Sequence, residues 1–156
     1  MSFMLASAVG DELPRIVERP VAVGYAELAG AVLKTTAGAY VGAGTNASAD
    51  ITGVAIGPGG ADTSGFNITA RKEFPALVVQ AVWPGPGILF SAEYVGSLGT
   101  IGAKYALVRS ADAKYRVDFT DTDNDAVVYV GALLTGDPEL QNRVLVTFDQ
   151  AAVIDN

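Results

Sequence analysis

The feature that most constrains this chain is how often it is interrupted. Its 18 glycines and 7 prolines are scattered along 156 residues without a Gly-X-Y period. A collagen helix is therefore excluded, and ordered segments can only be short. Between the breaks, apolar residues recur every second position. Tyr115, Val117 and Phe119 share one face while Arg116, Asp118 and Thr120 share the other, the pattern of a half-buried antiparallel strand. Val144, Val146 and Phe148 repeat it near the end of the chain. No stretch carries convincing helical spacing. Residues 140–145 could begin a helix, but Val144-Leu145-Val146-Thr147-Phe148 favours strand.

About ten short strands follow from this reading. They fall at 21–25, 30–35, 39–41, 51–56, 66–70, 77–83, 88–95, 105–108, 115–120, 126–134 and 143–149. A turn around Thr36-Ala37-Gly38 makes 30–41 a hairpin, and Gly53 marks a bulge. Residues 30–56 and 102–134 each run strand, small-residue turn, strand, loop, strand, but share too few identities to establish a repeat from sequence. The expected fold is all-β: a single compact β-barrel or β-sandwich domain over 18–156, preceded by an extended N-terminal arm over 1–17. Phe3, Leu5, Leu13, Ile16 and Val17 are the apolar residues with which such an arm would bind a partner.

Composition removes several functions. With no Cys and no His, disulfides, Cys-His and Ser-His-Asp catalysis and most zinc sites are excluded. A net charge of −7 makes a phosphate backbone or an anionic membrane an unfavourable partner. The N-terminus lacks the basic start of a secretory signal, and no apolar run approaches a membrane span. Half the residues are nevertheless hydrophobic, in many short Ala/Val/Gly runs, which points to interfaces with other copies or a partner.

The remaining motifs are weak. Asp121-x-Asp123-x-Asp125 resembles the start of a calcium loop, but Ala126 stands where the turn glycine belongs and Ala132 where the closing glutamate belongs, so a solvated acidic turn is expected. The loop 57–65 lacks the Gly-Lys-Ser/Thr of a phosphate loop. The carboxylates at 118–125 crowd one turn and do not face each other across a cleft, which argues against a glycosidase. Arg71-Lys72-Glu73 reads as a solvated turn, and the sequons at Asn46 and Asn67 have no secretion signal behind them. Trp83, beside Pro84 and Pro86, is either a core residue at a strand end or an exposed platform for a partner or a sugar, with Tyr94 and Tyr105 as companions in the latter case. No catalytic residue, metal or cofactor is expected.

Two stretches carry a family resemblance. One is Ala29-Gly30-Ala31-Val32-Leu33-Lys34, then Tyr40-Val41, then 50–56; the other is 101–107, then Tyr115 to Thr120, closing with Arg143-Val144-Leu145-Val146-Thr147-Phe148. Together they resemble, in layout over most of residues 20–150, the capsid decoration (cement) proteins of tailed bacteriophages. The resemblance implies a structural, non-enzymatic virion protein. It would sit on the capsid exterior against the major capsid protein, often as a homotrimer, with its arm over neighbouring subunits and the expanded shell stabilised. Other virion components (tail or fibre) and a carbohydrate-binding β-module are the alternatives.

Overall fold

A computed structural model describes residues 3–8, 14–56, 78–123, 125–132 and 143–154. Among these the chain is all-β, with eleven strands: β1 (Phe3–Ala8), β2 (Ile16–Pro20), β3 (Val32–Thr36), β4 (Ala39–Gly42), β5 (Ile51–Ala55), β6 (Val78–Val82), β7 (Ile88–Val95), β8 (Lys104–Arg109), β9 (Tyr115–Asp118), β10 (Asp125–Ala132) and β11 (Arg143–Phe148). A short 3-10 turn, Gln150–Ala152, follows.

The strands form two sheets. In one, the order β7-β11-β10-β8-β9 closes on itself where Tyr94 and Val95 of β7 run parallel to Val117 and Asp118 of β9. This five-stranded barrel is filled by alternate residues. Tyr105, Phe119 and Tyr129 meet edge to face inside it with ring centroids 4.9 and 5.0 Å apart, beside Leu107, Val117, Val127, Val144 and Val146. Strand β1 lies on the edge of β7 ahead of the closure, pairing Phe3 with Ala92 and Leu5 with Phe90. Phe3 is thereby buried against Phe90 and Phe148.

The other sheet runs β2-β6-β5-β3-β4, and its outer strands meet at one parallel bridge, Val21 to Tyr40. Numbering the strands of each sheet in chain order, both run first, fifth, fourth, second, third, and both close first to third in parallel. The registers correspond as well. Val17–Ala81 matches Phe90–Val146, Thr35–Tyr40 matches Leu107–Val117, and Val54–Val82 matches Val128–Thr147.

One irregularity coincides as well. The pairings Leu33–Gly53 then Lys34–Ile51 skip Thr52, and Tyr105–Val127 then Ala106–Asp125 skip Ala126; both skipped residues are fully buried. Gly30 and Gly102, at φ 88 and 87, donate to Ala55 and Tyr129 across 2.7 and 2.8 Å. The chain is therefore a tandem of one barrel plan. The spacing Val23-Gly24 to Gly30-Ala31 and Val95-Gly96 to Gly102-Ala103 is its trace in sequence.

In the first barrel Tyr40 is fully buried, and a side chain at Gly53 would come within 2.8 Å of the Ala81 methyl. Gly53 thus lets β5 lie close against Ala81 of β6, and the bulge expected there lies one residue away, at Thr52.

The expected hairpins 30–41 and 105–120 and the strands at 51–56, 88–95 and 143–149 are present, with inward faces as anticipated. The strand expected at 21–25 is displaced. Strand β2 ends at Pro20, and the chain turns at Gly24 (φ 83), leaving Val23 exposed and burying Tyr25. Of the expected arm, Phe3–Ala8 is β1 and Ile16–Pro20 is β2, so both pair within their own chain. Residues 9–13, including Leu13, and 57–77, with the loop 57–65, the strand 66–70 and Arg71-Lys72-Glu73, lie outside the described residues.

Candidate functional site

The seam between the barrels holds a buried carboxylate. Glu27, from the β2–β3 connection, meets Arg109 at the end of β8, with Nε donating to Oε2 across 3.1 Å. The Gly44 N–H donates to the Tyr115 hydroxyl at 2.9 Å, the Asn46 N–H to the Leu107 carbonyl at 2.9 Å, and the Arg109 N–H to Thr45 Oγ1 at 2.9 Å. Gly42 leaves the space that the Glu27 carboxylate occupies, and a side chain on it would displace that carboxylate. Burial pushes the Tyr115 hydroxyl up to about 12, against the Gly44 N–H that acts the other way. Burial also raises Tyr25.

These groups line, or stand beside, an open cleft of about 450 Å³ with Ala22, Val23 and Gly44 on its walls. Its charges cancel in the Glu27–Arg109 pair, and Tyr115 is engaged by Gly44. The cluster therefore fastens one barrel to the other. Sequence reasoning missed it because Glu27 and Arg109 are 82 positions apart. The one available signal was a lone Glu between Tyr25-Ala26 and Leu28-Ala29.

The second half of the seam is apolar. Phe3, Met4 and Leu5 of β1 and Phe90 of β7 face Ile16, Val54 and Val82 across a groove of about 250 Å³. The Phe3 N–H reaches the Gly30 carbonyl at 3.2 Å. The chain end closes over the same barrel. Val153 bridges Ile51 in parallel, and the Ile154 carbonyl accepts from Trp83 Nε1 at 3.0 Å.

The residues proposed from sequence for partner binding divide accordingly. Phe3 is core, Val17 is half-buried, and Leu5 and Ile16 are exposed lips of the groove. Trp83 is half-buried, with its ring packed where a side chain on Gly85 would stand and the Arg15 guanidinium 5.3 Å from its centroid. Tyr105 is buried in the second barrel with its hydroxyl accepting from the Thr100 N–H at 2.8 Å, so it forms no platform with Trp83. In the acidic turn, Asp121 accepts from the Asp123 N–H at 2.8 Å, and among the described residues no three acidic groups converge as metal ligands. Among the same residues no helix is long and apolar enough to cross a membrane.

Compared with known proteins, the chain matches no family model, no curated protein and no solved structure.

Proposed function

We propose that this chain is a non-enzymatic structural protein of a phage virion, which binds the capsid exterior against the major capsid protein and stabilises the expanded shell as a homotrimer. It would be made in the host cytoplasm and end on the virion surface. The observation that carries the reading is where the large hydrophobics stand. In this acidic all-β chain, Leu5, Ile16, Leu98, Ile101 and Val130 are exposed on strands and loops. Surfaces of this kind serve lasting protein contacts. The layout resemblance to capsid decoration proteins supplies the partner.

The expected arm takes another form in this reading. Since β1 contributes Phe3 to the core, removing residues 1–17 would disturb the barrels themselves. The contact is better tested on the intact chain. Mixed with expanded and unexpanded tailed-phage shells that lack decoration, the protein is expected to co-sediment with the expanded shells alone. Protein left in the supernatant with both would overturn the reading.

A further inference from the structure

The cleft at the seam holds an acceptor that the fold leaves unused. Glu27 is 8% exposed, and Arg109 Nε engages its Oε2. Its Oε1 lies over Gly42, which lines the cleft with it, and accepts no hydrogen bond among the described residues. A carboxylate oxygen so deeply buried is costly without a donor. Arg109 stands beside it. A guanidinium carries five N–H donors, of which Nε is spent on Glu27, and the Arg109 side chain is 32% exposed on the same cleft.

The cleft therefore offers an acceptor and donors side by side, and its other walls add no charge. Ala22, Val23, Ala26 and Val41 give it aliphatic surface. Such a set selects by charge. A ligand cation would meet the Arg109 guanidinium, and a ligand anion would meet the Glu27 carboxylate. A neutral ligand with donors, acceptors and C–H surface meets neither repulsion. A hydroxyl donates and accepts, so neighbouring hydroxyls on one sugar ring can serve both groups at once. The volume of about 450 Å³ suits a ligand of that size.

We infer that this cleft binds a saccharide. Glu27 Oε1 accepts from one ring hydroxyl, Arg109 donates to its neighbour, and Val23 packs on the C–H face. Val23 is 89% exposed, and a bound ring would cover it. The site is not the aromatic platform expected from sequence, since neither Trp83 nor Tyr105 lines the cleft.

The test is a glycan array probed with the intact chain, with each binder confirmed by titration of the free sugar. The wild type is expected to bind, and Glu27→Gln to bind at least tenfold more weakly. Val23→Arg sets a cation of the chain's own beside Oε1 and is expected to bind at least tenfold more weakly as well. Because Val23 is exposed, that variant is expected to keep the wild-type circular dichroism and denaturation midpoint, and it decides the question if Glu27→Gln does not fold. An array without a binder, or sugar binding that Val23→Arg leaves unchanged, would overturn the inference, whatever amines or amides the cleft then takes. Co-sedimentation with capsids is read separately, so the failure of either reading leaves the other standing.

Discussion

At the scale of single residues, Tyr115 is the side chain that works hardest. It is fully buried, belongs to the second barrel, and accepts the N–H of Gly44 from the first. Tyr115→Phe leaves that N–H without this acceptor, and a loss of about 1–3 kcal/mol is expected in chemical denaturation. The same change alters the alkaline limb. The hydroxyl is raised to about 12 in the fold, whereas an unfolded tyrosine titrates near ~10. The unfolded state therefore loses its proton first. The stability that this group contributes is complete below pH ~10 and declines between there and about 12. Denaturation midpoints followed from neutral to alkaline pH should fall less steeply in Tyr115→Phe than in the wild type. The inward position of Tyr115 was legible from alternation with Val117 and Phe119. Its role at the seam was not, because nothing local links it to Gly44.

At the scale of elements, the β3–β4 hairpin shows what sequence can and cannot reveal. Its alternation and its glycine locate the turn, and the structure places a two-residue connection there with both Ala37 (φ 50) and Gly38 (φ 80) left-handed. That is the twist two-residue hairpins prefer, and asparagine followed by glycine suits it best. Ala37 occupies the position against its own preference. Ala37→Asn is expected to stabilise the protein by about 0.5–1 kcal/mol, read as a higher denaturation midpoint with an unchanged slope. Strand β2 marks the opposite case. Its Ile16-Val17-Glu18-Arg19-Pro20 has charges and a proline, as edge strands often do, and on sequence Ile16 and Val17 read as part of an arm. The clearer alternation of 21–25 puts the expected strand five residues too late, because Gly24 and the burial of Tyr25 in the seam imitate a period of two.

At the scale of the whole molecule, the all-β class followed from the frequency of breaks and the absence of helical spacing. The tandem plan did not. Its two halves share a strand order, registers, one bulge position and paired glycines, but few side chains, because one barrel buries Tyr40 and the other an edge-to-face cluster of Tyr105, Phe119 and Tyr129. Different fillings of one plan erase identity while preserving topology. On this account the acidic, interface-rich molecule acts by binding one state of a larger assembly, and such binding stabilises that state by mass action.

The most direct test of that claim is a heat challenge of DNA-filled, expanded phage shells that lack decoration, with DNA release followed as protein is added. The account predicts that the release temperature rises with protein concentration and levels off at saturation. A release temperature that stays constant at every concentration would contradict it.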